Sequence, residues 1–318
     1  MAPFPFPIPL PLPVFVWRML WPANLVDATD LDHKFGSGFW EYLRPVRVGP
    51  LKFSTKEVTG IVYTRRGGFI DLGHVRDNID NTYYYYRRLL NQRQRSFPPA
   101  GYDEGLVRVL EPIPADLVAD VASCMAFDES IFHEMETYWD EQFNSAFSPE
   151  DLTSNFLGTL IGANAIRRID NDDRLFDRRV TEELRTVIDL LWPTSVDDAL
   201  AAFVRVENDW VDAVPIVSDV FIPPALQSGY LRRRNFDCFP VRPWVLSNPD
   251  TQVFPQWPQE IPRLHPVDAR RFYESTFVSD EDRVSSRDFD SQIARLKVSA
   301  EREYGADYQN PSPGQAID

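Results

Sequence analysis

The sequence contains little cysteine. It has only two, Cys124 and Cys238, and neither belongs to a C-x-x-C pair, so the spacing does not indicate a thiolate zinc site. Cys124 lies in the apolar run LVADVASCMAF, which is typical of a buried, unreactive thiol. No pattern indicates a disulfide between the two, and the cysteines therefore leave the redox compartment open.

Basic residues are also in deficit. The chain carries 33 Lys and Arg against 48 Asp and Glu, a formal net charge of −15. Nucleic acids and anionic membranes both favour basic surfaces, so we expect no nucleic-acid partner. The short arginine runs, such as the one at 232–234, are typical of solvated surface.

Long apolar runs are absent as well, because no segment approaches the roughly 18 uncharged apolar residues of a membrane span. Residues 1–23 instead alternate proline with Phe, Ile and Leu between Pro3 and Pro13, which predicts an extended, polyproline-like arm. The arm lacks the basic n-region of a signal peptide. Three interpretations stay open: an arm on its own domain or a neighbouring subunit, a membrane or protein anchor, and a misassigned start codon. The sequence slightly favours a cytoplasmic location.

The chain does have the apolar residues for a core, since 43% of its 318 residues are hydrophobic and 13% are aromatic. Apolar periodicity and helix start and stop signals predict six longer helices. They cover residues 72–95, 116–143, a stretch opening at 148, 174–191, 195–208 and 286–304. Residues 57–63 and 105–110 read as strands, and residues 266–273 as a short helix.

We therefore predict a mainly α fold of the α+β class, with one helical-bundle-like core and a small β element. Recurrent proline after position 215 predicts a long irregular C-terminal wrap with two short strands at most. The predicted organisation is an arm (1–23), one domain (24–304) and a tail (305–318). Gly158 and Gly162 lie within the third helix, where glycine costs about 1 kcal/mol, so we expect a close helix–helix or helix–ligand approach there.

A first group of polar residues follows two glycines, in GGFIDLGHVRDNIDNTYYYY. Four polar residues fall at helical spacing and share one helix stripe: His74, Asp77, Asn78 and Asn81. The first of them, His74, lies three residues after Asp71. An imidazole beside a carboxylate serves as a metal-ligand pair or as a base with its orienting group. The alternative is an ordinary helix start, capped by an acid and otherwise solvated.

A second group lies in DESIFHEMETYWDE. Glu129 and His133 are four residues apart and share a helix face. The pair His133-Glu134 matches the opening of H-E-x-x-H, but Thr137 replaces the second histidine, which excludes the zinc-protease motif. The remaining spacing suits a metal held by several helices, or else an acidic, solvent-facing helix.

A third group opens the third helix, where Ser148 is the predicted N-cap and Glu150 and Asp151 fall in the first turn. Capping does not explain Ser154 and Asn155 beside the apolar run FLGTLIGANAI. Because a helix N-terminus attracts anions, we expect this end to bind a carboxylate or phosphate of a substrate. The four tyrosines at 83–86 are wider than one helix face and either line a groove or pack internally.

Together the three segments resemble an uncharacterised bacterial domain family. The resemblance rests on I-D-x-x-H-x-R-D, on H-E followed by an aromatic residue, and on S-P-E-D-x-x-S-N-x-x-G, and it covers roughly residues 64–162. The resemblance implies no activity. It does imply export or lipid anchoring. The N-terminus departs from that expectation, because it has neither the basic n-region of a signal peptide nor a lipobox cysteine. The resemblance also implies that one set of residues belongs together: His74, Arg76, Asp77, His133, Glu134, Glu150, Asp151, Ser154 and Asn155.

The preferred hypothesis is a metal-dependent hydrolase acting on a small molecule. The predicted ligands of zinc, iron or manganese are His74, His133 and Glu129. The predicted catalytic residues are Glu134, Asp77, Arg76 and Asn155, and the predicted substrate-binding residues are Asp151, Ser154, Asn78 and Asn81. Two alternatives stay open: metal-free catalysis with His74 as a base oriented by Asp77, and a non-enzymatic binding or envelope-associated protein that uses the arm and the tyrosines. The oligomeric state is open.

Overall fold

The computed structural model describes residues 25–29, 60–90, 95–102, 105–139, 146–169, 172–207, 209–210, 233–248, 250, 253, 255–262, 269–279 and 282–304. The predicted arm, the predicted tail and part of the predicted wrap lie outside these residues. Within them the chain forms helices and small antiparallel sheets, which confirms the α+β class. None of the described helices is long and apolar enough to cross a bilayer.

Six α-helices occur among the described residues, and each coincides with a predicted one. They are α1 (Leu72–Leu90), α2 (Val118–Trp139), α3 (Asp151–Arg167), α4 (Phe176–Leu190), α5 (Val196–Val206) and α6 (Phe289–Tyr304). The helix α3 begins at Asp151 rather than directly after Ser148, because residues 149–150 form a turn in which the Asp151 amide donates to the Ser148 carbonyl (3.1 Å).

Two antiparallel sheets accompany the helices. In the first, β1 (Ile61–Thr64) pairs with β2 (Gly68–Asp71). Gly68 has φ +74° and a β-carbon there would lie 2.0 Å from the Trp244 carbonyl oxygen, so only glycine fits this turn. The second sheet has the order β3-β4-β5-β6, and its strands are Ser96–Phe97, Gly105–Val109, Tyr273–Ser279 and Asp282–Ser285.

The core is built where α1, α2 and α3 pack on one another. A β-carbon on Gly158 would lie 2.3 Å from the Val75 carbonyl oxygen of α1, and one on Gly162 would lie 3.0 Å from the Thr82 β-carbon. This confirms the predicted close approach. It also sets the first turns of α1 and α3 side by side.

The tyrosines of α1 serve mainly as core residues. Tyr83, Tyr84 and Tyr85 are buried and Tyr86 is partly buried. The Tyr83 ring centroid lies 4.3 Å from that of Phe176 in α4. In the described structure the tetrad therefore follows the internal-packing interpretation.

Candidate functional site

The candidate site lies where β2 runs into α1 and meets the start of α3. Asp71 ends β2 and caps α1, because its Oδ1 accepts from the amides of Gly73 (2.6 Å) and His74 (3.3 Å). The Asp71 amide in turn donates to Ser154 Oγ of α3 (2.8 Å). These bonds fix the two helix starts relative to each other.

His74 faces α3 from the first turn of α1. Its Nδ1 lies 2.9 Å from Asn155 Oδ1, which also accepts from Asn78 Nδ2 (2.7 Å). Since an amide oxygen can only accept, Nδ1 donates this hydrogen bond and carries a proton, and Nε2 is the ring nitrogen nearest Asp151. Nε2 lies 3.6 Å from Asp151 Oδ1, and the His74 side chain is 16% exposed. The imidazole is thus partly exposed at the edge of a buried site.

The helix α2 completes this network from the opposite side. Ser130 Oγ lies within hydrogen-bond distance of two acceptors, Asn78 Oδ1 and the Ala126 carbonyl of its own helix (3.0 Å), which share its single proton. Asn78 Nδ2 additionally donates to the His74 carbonyl (2.9 Å). Side chains from three helices therefore fix the Asn78 amide, and through Asn155 the imidazole.

Glu134 of α2 supports the segment that leads into α3. Its Oε2 accepts from the Phe147 amide (2.7 Å), and its Oε1 lies 3.5 Å from Asn155 Nδ2. Phe147 has φ 58°, a left-handed conformation that is uncommon for a non-glycine residue. Its carbonyl accepts from the Asn235 amide (2.7 Å). Backbone strain thus occurs directly before Ser148, as it often does at functional sites.

Four buried carboxyl groups lie near the start of α3, and we call them the carboxyl cluster: Asp71, Glu134, Glu150 and Asp151. Burial raises the pKa of Asp151 well above its ordinary value, and the charges of Glu134, Glu150 and Asp71 raise it further. Burial raises the pKa of Glu150 to about 7; the charge of Asp71 adds to this, whereas the Ser148 side chain and His74 oppose it. The cluster is therefore electrostatically coupled.

Glu150 is the unusual member of the cluster. It occupies the N-cap position of α3 but makes no capping hydrogen bond with its side chain. Its side chain is buried and neither oxygen meets a donor at full hydrogen-bond geometry, yet the Ser148 hydroxyl and the Glu150 amide both interact with the carboxyl group and oppose the rise of its pKa. Ordinary helix capping does not account for this carboxyl group.

The structure places Glu129 and Asn81 in a separate environment, which we call the Glu129 site. Glu129 Oε1 accepts from Asn81 Nδ2 (3.1 Å) and the Gly101 amide (2.8 Å). Its Oε2 accepts from the Ala100 amide (2.9 Å) and the Tyr85 hydroxyl. Burial raises the pKa of Glu129 to about 7 in spite of these donors. This carboxyl group attaches the loop at 100–101 to α2.

His133 occupies a third environment. Its side chain is 62% exposed, and its Nδ1 lies 3.4 Å from the Tyr102 hydroxyl and 3.9 Å from Glu136 Oε2. Asp77 forms an ion pair with Arg76 (2.5 Å) beside the site. In the part of the chain that the structure describes, no group of three or more His, Cys, Asp or Glu side chains is arranged to hold a metal ion. The metal set of His74, His133 and Glu129 stays a prediction.

The structure therefore joins part of the predicted set and separates the rest. Its hydrogen bonds and ion pairs bring together His74, Asn78, Glu134, Asp151, Ser154 and Asn155. Sequence reasoning did not single out Ser130, whose spacing of four residues from Glu134 was the available signal. From spacing alone, capping was nearly sufficient for Glu150, because acids are favourable in a first helical turn; the family resemblance placed it with the site residues.

Comparison with known proteins gives a family but no activity. Residues 7–97 and 114–231 match a family described as a protein of unknown function, DUF4056. The match includes the carboxyl cluster, His74 and Asn155, whereas β4, β5, β6 and α6 lie outside it. No curated protein and no solved structure matches the chain.

Proposed function

The chain belongs to the DUF4056 family of unknown function, in agreement with the resemblance drawn from its motifs, and we propose from its site that it is a hydrolase with His74 as the proton-transferring group. One observation carries the proposal: Asn155 orients the imidazole so that its Nε2 lone pair is accessible beside a protonatable carboxyl group. A small molecule is the proposed substrate. The roles below follow from this geometry.

His74 Nε2 accepts a proton from the attacking water and so supplies the nucleophile. Asn155 Oδ1 keeps Nδ1 protonated and fixes the ring plane. The pKa of Asp151 is raised well above its ordinary value, which favours the protonated carboxyl group, and Asp151 donates this proton to the leaving group. Two titratable groups in contrasting environments are the usual arrangement of a general base and a general acid.

A substrate-free measurement tests the tautomer. Nitrogen chemical shifts of His74 in the labelled protein should show a protonated Nδ1 and an unprotonated Nε2 near neutral pH. Asn155→Ala should abolish that preference, because the accepting oxygen is removed. A ring protonated at Nε2 in the unmodified protein would overturn the proposed role of His74.

An activity screen tests the reaction. Hydrolysis of p-nitrophenyl esters and phosphate esters should fall by roughly 10²-fold or more in His74→Gln, the loss expected for removing a general base. His133→Gln is the matched control, since that histidine is exposed. Equal losses in both variants, together with inhibition by a chelator, would favour the metal-dependent mechanism with His74, His133 and Glu129 over the one proposed.

The non-enzymatic alternative depends on the arm and on the tyrosines. The arm lies outside the described residues, and three of the four tyrosines are buried. Deleting residues 1–13 separates the two ideas. Lost self-assembly or lost partner binding with unchanged hydrolysis would assign the arm a binding role beside the enzyme.

A further inference from the structure

The helix α5 exposes large apolar side chains on its outer face. Its inner face is buried, as Ala199 and Phe203 show. On the outer face Val196, Leu200 and Val204 are 40%, 44% and 59% exposed. These three residues follow one another at intervals of four and therefore form one row along the helix. We call this row the α5 stripe.

An exposed aromatic ring precedes the α5 stripe. Trp192 lies four residues before Val196 and is 49% exposed, and the Arg66 guanidinium carbon lies 3.8 Å from its ring centroid. Single apolar side chains on a surface need no explanation, whereas a contiguous group of them indicates a contact. Aromatic rings beside apolar grooves are typical of surfaces that bind proline-rich, polyproline-like segments.

The first described residues lie beside the same helix. Leu25 belongs to the buried apolar cluster that includes Phe203 of α5, and it forms a β-bridge with Ile61. The Ala28 amide donates to the carbonyl of Thr194 (3.1 Å), just before α5 begins. The segment that precedes Leu25 therefore connects to the described structure next to α5.

The sequence of that segment has the chemistry that such a surface binds. Between Pro3 and Pro13 proline alternates with Phe, Ile and Leu, so every second residue offers an apolar side chain and the prolines have no N–H donor to satisfy. In a polyproline conformation these residues span roughly 30 Å, and the 11 residues of α5 span about 16 Å. The family match begins at residue 7 and includes α5, so most of this segment and the helix belong to one matched region.

We propose that residues 3–13 of the arm bind along the α5 stripe of the same molecule. The contact removes the apolar side chains of both partners from water, which is its driving force. The arm of the same chain is the occupant, rather than that of a second copy, because the short connection through residues 14–24 gives it a high effective concentration at α5. The arm thereby becomes part of the fold and takes no part in the proposed hydrolysis.

Photo-crosslinking of the full chain locates the arm. The photoreactive amino acid p-benzoylphenylalanine replaces Leu200 in one protein and Val298 in a second, the matched control, because Val298 is 55% exposed but lies on α6. After irradiation, mass spectrometry of the monomer should show cross-links from position 200 to residues 3–13 and none from position 298. Absence of the first cross-link would overturn the proposal. Cross-links found only in a dimer would also overturn it, since the arm would then lie on a second copy.

Thermal unfolding measures the same contact. Deleting residues 1–13 and introducing a charge with Leu200→Asp should each lower Tm by about 2–4 °C. Because both changes remove one contact, the combined variant should lose no more than the larger single loss. Val298→Asp is the control, and its effect should add to that of the deletion. Additive losses for the deletion and Leu200→Asp, or an unchanged Tm after the deletion, would contradict the proposal. The cross-link decides the matter if either variant does not fold, and neither measurement requires turnover.

Discussion

Two glutamates in this protein are buried to the same degree and differ in almost everything else. Glu129 is 3% exposed and Glu150 is 1% exposed, and burial raises the pKa of each to about 7. Glu129 accepts hydrogen bonds from two side chains and two loop amides, whereas the donors that act on Glu150 are the Ser148 hydroxyl and its own amide, neither at full hydrogen-bond geometry. Burial and a raised pKa therefore do not by themselves distinguish a structural carboxyl group from a functional one.

The number of donors makes the distinction. Four donors use the acceptor capacity of Glu129 and join α1, α2 and the loop at 100–101, which is a structural role. Glu150 lies at the start of α3, next to His74 and Asp151, and part of its acceptor capacity is unused, because among the described residues only Ser148 and its own amide act on it as donors. A carboxyl group with unused acceptors inside a protein has the capacity to bind a ligand. The following changes test that contrast.

The largest effect is expected from Glu129→Ala. This change leaves the Ala100 and Gly101 amides, the Tyr85 hydroxyl and the Asn81 amide without their acceptor. Each buried donor without a partner costs about 1–3 kcal/mol, and partial rearrangement reduces the sum. We expect the free energy of unfolding in urea to fall by about 3–5 kcal/mol. A loss below about 1 kcal/mol would remove the structural role assigned to Glu129.

The second largest effect is expected in the pH dependence of the free energy of unfolding, through the titration of Glu129. Its pKa is raised from 4.5 to about 7, so between these values the folded state holds a proton that the unfolded state has released. The stabilisation is complete below about pH 4.5 and is lost as pH rises through 7, by roughly 3 kcal/mol in all.

Urea unfolding from pH 4.5 to 8, compared between the unmodified protein and Glu129→Gln, isolates this contribution. The variant should show a shallower decline, because other groups such as Glu150 titrate equally in both proteins. Parallel curves would contradict the assignment.

An effect of intermediate size is expected from Gly158→Ala. Gly158 lies in α3, the helix that begins directly after Glu150. Alanine is the better helix former, but its β-carbon would lie 2.3 Å from the Val75 carbonyl oxygen and 2.8 Å from the Asn78 β-carbon. We expect a net loss of about 2–3 kcal/mol of unfolding free energy, the cost of overpacking.

Gly162→Ala is the control for this change. Its nearest obstacle is the Thr82 side chain, 3.0 Å away, so its loss should be smaller. Equal stability of Gly158→Ala and the unmodified protein would mean that α1 can move away from α3.

The smallest change is expected from Glu150→Gln in buffer that contains EDTA. The substitution removes a charge that burial disfavours and keeps one oxygen that can accept from the Ser148 hydroxyl or the residue's own amide. We expect the free energy of unfolding to stay within about 1 kcal/mol of the unmodified protein or to rise slightly. A loss as large as that of Glu129→Ala would show that Glu150 is also structural and would remove the contrast.

Helical periodicity identified all six described helices, because long amphipathic or apolar segments carry strong signals. The pairing of β5 with β4 could not be read in the same way. It joins residues more than 160 positions apart, such as Val107 and Ser275, and local patterns carry no information about such partners.

Helix geometry explains why the sequence predicted only part of the candidate site. His74 and Asn81 share a stripe, but seven residues of helix rise about 10 Å, so Asn78 reaches Asn155 while Asn81 reaches Glu129. His133 and Glu134 are neighbours in sequence but point about 100° apart around α2. The helix is buried on nearly all sides up to Met135, and its composition therefore did not show which of the two faces inward.

The left-handed peptide at Phe147 has a practical consequence for anyone who shortens this chain. Its carbonyl is bonded by the Asn235 amide, and Arg234 donates to the Ala146 carbonyl next to it. The family match ends at residue 231, just before both donors. A fragment trimmed to that boundary would retain every carboxyl group of the cluster yet lose the bonds that fix the entrance to α3. Loss of activity in such a fragment would therefore say nothing about the intact protein.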